Sequence, residues 1–250
     1  MTKQIPNIFT LLNLFFGCIA IVFALQNTIE INADGGFVRL TEEIYLASLF
    51  IGVAAIIDFL DGFVARALNA SSEMGKQLDS LADVVSFGAA PAIILYQFLR
   101  MSFIRDNGGL ETSFIWLTPA FIFACAGAYR LARFNIDTEQ SYGFKGVPIP
   151  AAGLVVASLP LIYWNIQTEM VYNILMNKWF LYGLIILLSG LMVSKLPLMA
   201  LKFKDFTIKN NLPKFILLGI AIVAAIFLKW LAIPIVFIAY IILSLLYKRN

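Results

Sequence analysis

Apolar runs of about 20 residues recur along almost the whole 250-residue chain, and this recurrence limits the fold more than any other feature. Roughly 20 apolar residues in an α-helix cross the hydrocarbon of a bilayer. A backbone in lipid must also satisfy its own hydrogen bonds, which helices do. The runs lie near 7–26, 44–66, 76–99, 114–134, 148–166, 179–194, 213–229 and 231–247. They predict an all-α, polytopic membrane helix bundle of about eight spans. Composition agrees: charged residues make up 13% of the chain, against about a quarter in soluble domains. Residues 1–250 read as one membrane domain. Within it we expect a core over 1–194, then a basic loop and two additional helices over 195–250.

The first run follows Lys3 and resembles a signal sequence, but it is long enough to span and no small-residue cleavage site follows. It reads as a retained helix. Cys18 and Cys125 lie inside apolar runs; they read as packing residues and offer no disulfide framework. Histidine is absent, which removes the commonest side-chain base and transition-metal ligand. Metal chemistry in this chain must therefore rest on carboxylates.

Lysine and arginine set the expected orientation, because cytoplasmic loops carry an excess of them. With the N-terminus inside, Lys3, Arg66, Lys76, Arg130, Arg133, Lys145, Lys195, Lys202, Lys204, Lys209, Lys214, Lys248 and Arg249 fall on the cytoplasmic side. Only Arg39, Arg100, Arg105, Lys178 and Lys229 fall outside. Both termini are then cytoplasmic, as expected of a bacterial-type cell-membrane protein. The net charge of +3 is distributed by topology. The basic stretch KLPLMALKFKDFTIKNNLPK suits anionic lipid headgroups and gives no reason to expect nucleic-acid binding. Trp164 and Tyr182 read as interfacial anchors.

Against this apolar background stands DFLDGFVARALNASSEMGKQLDSLAD, residues 58–83, with four aspartates. Asp58 and Asp61 share a helix face, and Gly62 and Ala65 lie on it too. Gly75, Asp79 and Asp83 form a second single-faced row, four residues apart. The polar NASSE stretch between the rows reads as a turn, with Ser71 or Ser72 capping the second helix. A helical hairpin would bring the rows together. Two ionised carboxylates 4 Å apart repel by about 4 kcal/mol at an effective dielectric near 20. Either several of the four are protonated, or divalent cations sit among them. All-oxygen ligation favours Mg2+, Mn2+ or Ca2+. Two such ions beside small residues and an arginine suit a diphosphate-bearing substrate. A single intramembrane aspartate could serve only as an ion-pair partner or a proton path; four in two single-faced pairs call for more.

The spacing D-x2-D-G-x2-A-R-x8-G-x3-D-x3-D, from Asp58 to Asp83, resembles the signature of the CDP-alcohol phosphatidyltransferases, and every fixed position matches. The motif covers about a tenth of the chain. The resemblance implies a six-helix membrane core across the first six spans, and a homodimer. It implies that Asp58, Asp61, Asp79 and Asp83 hold two divalent metal ions, Mg2+ or Mn2+, with Asp83 also the general base. It further implies that Gly62, Ala65 and Gly75 give the nucleotide room and that Arg66 and Ser72 contact the CDP-lipid. In IPNIFT, Asn7 and Thr10 join that contact region.

Downstream, SFGAAPA (86–92), AYRLARFNI (128–136) and GFKGVPIPAAG (143–153) resemble the phosphatidylserine synthase branch of the family. The implied substrates are CDP-diacylglycerol and L-serine, with CMP released. Arg130 and Arg133 sit three apart on one face and, with Lys145 and Asn135, are candidates for the serine carboxylate or the lipid phosphate. Other acceptors, glycerol 3-phosphate or an inositol phosphate, would demand extra basic residues. A carboxylate-lined cation transporter is the more distant alternative. It would need polar residues continuing across the bilayer, and YLASLFIGVAAII and GAAPAIILYQFL supply almost none.

Overall fold

The computed structural model describes residues 5–26, 29–31, 38–68, 70, 72–107, 112–136, 144–199 and 208–247. Lys3, Ser71, Lys202, Lys204, Lys248 and Arg249 lie outside the described residues, as do the Arg39, Lys145 and Lys209 side chains.

The described chain is helical except for two short antiparallel ladders. The helices are α1 (Ile5–Gln26), α2 (Glu43–Ala67), α3 (Glu73–Asp83), α4 (Ala90–Asn107), α5 (Ile122–Ile136), α6 (Ile149–Asn165), α7 (Glu169–Leu175), α8 (Lys178–Val193), α9 (Ile208–Leu228) and α10 (Ala232–Leu246). A π-helical turn, Val84–Ala89, joins α3 to α4. Two 3-10 turns, Phe114–Trp116 and Thr118–Phe121, lead into α5. Strands β1 (Ile29–Ile31) and β2 (Val38–Leu40) pair in the α1–α2 connection. Strands β3 (Phe144–Lys145) and β4 (Pro197–Leu198) pair across two distant connections.

Each expected span coincides with a helix, but their lengths differ. By length and composition, five stretches can cross a membrane: Pro6–Gln26, Glu42–Ala67, Glu73–Asp106, Phe114–Ile136 and Asn211–Leu246. A sixth is formed by α7 and α8 together, bent by 61°. Helix α6 is shorter, at 17 residues, with Pro148 at its N-cap and Pro160 inside it. The last two expected spans form one 36-residue apolar stretch, about 54 Å if it were straight. It breaks at Lys229, whose φ of 49° no helix accommodates, and α10 folds back to pack on α9.

The outer surface is apolar, as a lipid-facing surface must be. Phe59, Phe227, Ile226 and Trp179 are all largely exposed, a pattern that would aggregate in water. Cys18 and Cys125 are also exposed on this surface, contrary to the expectation that they pack. Their small side chains face outward from α1 and α5.

The centre of the bundle is the stretch from α3 to α4, 56% buried where the first two spans are 28% buried. Phe87, Ile94, Leu95, Phe98 and Leu99 fill the core. Buried polar side chains tie helices together through backbone carbonyls, a favoured bond in lipid. Gln97 donates to Ala24 O at 2.8 Å and Ser102 to Met176 O at 2.7 Å. Small residues allow the closest approaches. A side chain at Gly17 would collide with Ser86 Oγ, and one at Gly153 would lie 2.8 Å from Phe87 O. These contacts press α1 and α6 onto the π turn.

Candidate active site

The site is built where α1, α2 and α3 meet. Asp58 and Asp61 lie in the second half of α2, and Asp79 and Asp83 on α3. Helix α1 packs along both α2 and α3, so its first turns close the third side. Helix α3 starts where the sequence indicates. Ser72 is its N-cap and accepts a hydrogen bond from Gly75 N at 3.0 Å, satisfying one of the amides that a helix start leaves open.

One carboxylate oxygen each from Asp58, Asp79 and Asp83 lies within 4.8 Å of the others, a grouping that could hold a metal ion. Asp61 stands outside that trio. It is buried, and its Oδ2 accepts a short hydrogen bond from Thr10 Oγ1, which also reaches Pro6 O at 3.2 Å. The two rows are therefore brought together as expected, with Asp61 turned towards α1.

The donor set fits a hard cation. Asp83 is 7% exposed, and its Oδ1 is buried with no hydrogen-bond partner. The polar neighbour of Asp58 is Asn13, whose Nδ2 lies 3.5 Å from Oδ1. Asn13 is fully buried, and its own Oδ1 also lacks a partner. Among the described residues no lysine or arginine forms an ion pair with any of the four aspartates. A buried carboxylate cluster with open oxygens and no directly paired base is costly unless a cation completes it.

The small residues do what their type suggests. A Cβ on Gly75 would lie 3.0 Å from Asn7 Oδ1, so glycine lets the start of α1 approach α3. A Cβ on Gly62 would lie 3.3 Å from Arg66 Nη1, which places the Arg66 side chain back along its own helix over Gly62. Ala65, one turn further on, is half-buried. Asn7, Thr10, Gly62, Ala65, Arg66, Ser72 and Gly75 thus fall in the first turns of α1, the end of α2 and the start of α3, the helices that meet at the carboxylates.

The second group of candidates divides. Arg130 on α5 is 6% exposed; its guanidinium lies over the Phe134 ring, 5.5 Å from the centroid, and its Nε has no partner. It lies within electrostatic range of Asp83. Arg133, one turn on, is committed to the backbone. Its Nη1 donates to Val193 O at 2.8 Å and its Nη2 to Ser194 O at 3.0 Å. A cation at these last carbonyls is the favourable partner for a helix C-terminus. Asn135 donates to Ser80 Oγ at 2.8 Å, and its carbonyl accepts from Lys76 Nζ at 3.4 Å, so it ties α5 to α3. Lys145 contributes its backbone to β3, opposite Pro197. Next to it Gly146 takes φ of 81° and donates to Leu196 O at 2.9 Å, a left-handed turn that suits glycine.

Asn13 is a site residue that sequence reasoning missed. The signal was present: Asn7, Thr10 and Asn13 recur every three residues on an otherwise apolar helix. Tyr240 on α10 also went unnoticed: its hydroxyl donates to Met199 O at 3.1 Å, and nothing in its local sequence marks it.

Comparison with known proteins agrees with this geometry. The family model described as CDP-alcohol phosphatidyltransferase matches residues 3–192. A CDP-diacylglycerol–serine O-phosphatidyltransferase of Helicobacter pylori (strain J99) is 36% identical over 85% of this chain and 77% of that protein. The protein of the same description from Bacillus subtilis is 38% identical over 50% of this chain and 65% of its own length. One from Mycobacterium tuberculosis (strain H37Rv) is 30% identical over 94% of this chain and 75% of its own length. With the carboxylate rows converging as the motif requires and the match running through most of the chain, this integral membrane protein belongs to the CDP-alcohol phosphatidyltransferase family.

Proposed function

We propose that the chain is a CDP-diacylglycerol–serine O-phosphatidyltransferase, which transfers the phosphatidyl group of CDP-diacylglycerol to the hydroxyl of L-serine and releases CMP. The observation that carries this reading is the convergence of Asp58, Asp79 and Asp83; the buried Arg130, whose Nε has no partner, adds a cation. It joins a diphosphate-handling site to a cation suited to a carboxylate-bearing acceptor. The matched relatives bear the same reaction in their names.

Asp58, Asp61, Asp79 and Asp83 would hold two divalent ions, Mg2+ or Mn2+. When bound, these supply neutralisation of the diphosphate's charge, most of what such a transfer needs. Thr10 orients Asp61 and Asn13 orients Asp58. Gly62, Ala65 and Gly75 leave room for the cytidine nucleotide, while Arg66, Ser72 and Asn7 contact the CDP-lipid. Asp83 takes the proton from the serine hydroxyl as that oxygen bonds to the lipid-bearing phosphorus. The P–O bond to CMP breaks, and CMP leaves with the electron pair. A positioned base is worth about 10²–10⁴-fold in such a step.

Arg130 receives the serine carboxylate, and Lys145 is the second basic group we assign to the acceptor or the lipid phosphate. Arg133 and Asn135 hold α5 in place for this. The membrane setting follows from the lipid tails of donor and product. The positive-inside distribution supports a site on the cytoplasmic side of a bacterial-type cell membrane, with both termini cytoplasmic. By analogy with the family, the working unit is a homodimer.

The test is CMP release by the purified protein in lipid–detergent micelles with Mn2+ or Mg2+, offering L-serine, glycerol 3-phosphate or inositol phosphate in turn. Serine alone is expected to drive release. Release with a phosphorylated alcohol and none with serine would overturn the assignment of the acceptor.

A further inference from the structure

The matched family region ends at residue 192, yet the chain beyond it packs back onto the bundle. The connection after α8 is held from three sides. Arg133 on α5 binds Val193 O and Ser194 O. Strand β3 pairs with β4, and Gly146 N donates to Leu196 O. From the third side comes α10. Tyr240, 7% exposed, donates its hydroxyl to Met199 O at 3.1 Å. Ser244, 3% exposed, accepts from Met199 N at 3.3 Å and donates to Tyr240 O at 2.7 Å. Both backbone polar groups of Met199 are thus pinned by one turn of α10. Arg133, which binds the start of that connection, lies one turn from Arg130 on the same helix. Arg130 is deeply buried with Nε unpartnered, so its direction depends on the groups walled around it.

We infer that α10 is part of the acceptor side of the site, with Tyr240 a positioning residue that sets Arg130 by locking Met199 and the 194–199 connection against α5. The inference rests on the reading of Arg130 as the acceptor-binding cation. Tyr240 touches no reacting atom. Its hydroxyl fixes a wall, and the wall fixes the arginine. The consequence is selective: loosening the latch weakens capture of serine and leaves the nucleotide side, built from α1, α2 and α3, as it was.

The experiment is steady-state kinetics on the full chain, with serine and CDP-diacylglycerol varied separately. Tyr240→Phe keeps the ring and removes the one hydrogen bond. KM for serine is expected to rise about fivefold or more, the equivalent of one lost hydrogen bond, with KM for CDP-diacylglycerol and kcat within about twofold. Ser244→Ala, a smaller change to the same latch, is expected to move KM for serine in the same direction by less. An unchanged KM for serine in both variants overturns the inference, as does an equal rise in both KM values. Wild-type protein that releases no CMP with serine takes down the functional reading itself. A responsive wild type with an unresponsive Tyr240→Phe takes down the latch alone.

Discussion

The two ends of the bundle treat their charges in opposite ways. The stretch Glu73–Asp106 carries acidic residues at both ends, Asp83 and Asp106 lying roughly 30 Å apart along it. Asp106 is answered within the protein: Lys178 Nζ sits 2.7 Å from its Oδ2 and packs over the Phe103 ring. Around it, Arg105 lies over Tyr172 and the Tyr182 hydroxyl donates to Trp116 O at 2.6 Å. The Asp106 charge is answered as it stands. Among the described residues the four carboxylates at the Asp83 end have no basic ion-pair partner, and Asp83 and Asn13 keep buried oxygens unused. A charge satisfied inside the chain belongs to the architecture. Charges gathered and left open belong to whatever binds there.

That contrast can be broken most directly by removing what the open end is expected to hold. Chelation of divalent metal should reduce serine-dependent CMP release to background, while circular dichroism stays helical. Asp58→Ala should cost on the order of 10³-fold or more in kcat, the loss of several kcal/mol of charge stabilisation. Activity that survives either treatment would mean that the open end is closed by something else.

The next effect concerns a single role. Asp83→Asn should lower kcat by about 10²–10⁴-fold with CDP-diacylglycerol still bound, as equilibrium binding of labelled donor would show. Near-normal turnover would return the base to another group. Thr10→Val keeps shape and removes the bond to Asp61. A fall of about tenfold in kcat/KM is expected, from one hydrogen bond to a charged group. The smallest effect belongs to the completed end. Lys178→Ala should leave CMP release within about twofold and cost about 0.2–1 kcal/mol of stability, read as a small drop in Tm, because the pair is partly exposed. A large loss of activity there would erase the distinction between the ends.

How much of this was legible beforehand depends on the range of the interaction. The carboxylate rows were readable because a helix places residues three and four apart on one face, and Asp58, Asp61, Asp79 and Asp83 obey that spacing. Ser72 was readable because an N-cap is local. The commitment of Arg133 was not, since its partners, the carbonyls of Val193 and Ser194, lie sixty residues away. Backbone carbonyls carry no sequence signature. Tyr240 was hidden for the same reason, as its acceptor is the carbonyl of Met199. The turn that separates α9 from α10 was not readable in detail, because hydropathy registers an apolar stretch and not the φ of Lys229 that divides it.

The π turn at Val84–Ala89 adds a consequence of a different kind. Successive residues of an α-helix advance by about 100°, so one unbroken helix would lock the azimuth of Asp79 and Asp83 to that of Gln97 and Phe98. A π turn takes up an additional residue without that advance. It works as a phase shifter between the reactive half of one rod and its packed half, letting each face its own neighbours. Deleting one residue between 84 and 89 would leave hydropathy almost unchanged, yet swing the carboxylates away from their partners on α2. In this chain the geometry of the chemistry is therefore set partly by a count of residues in a segment that bears none of it.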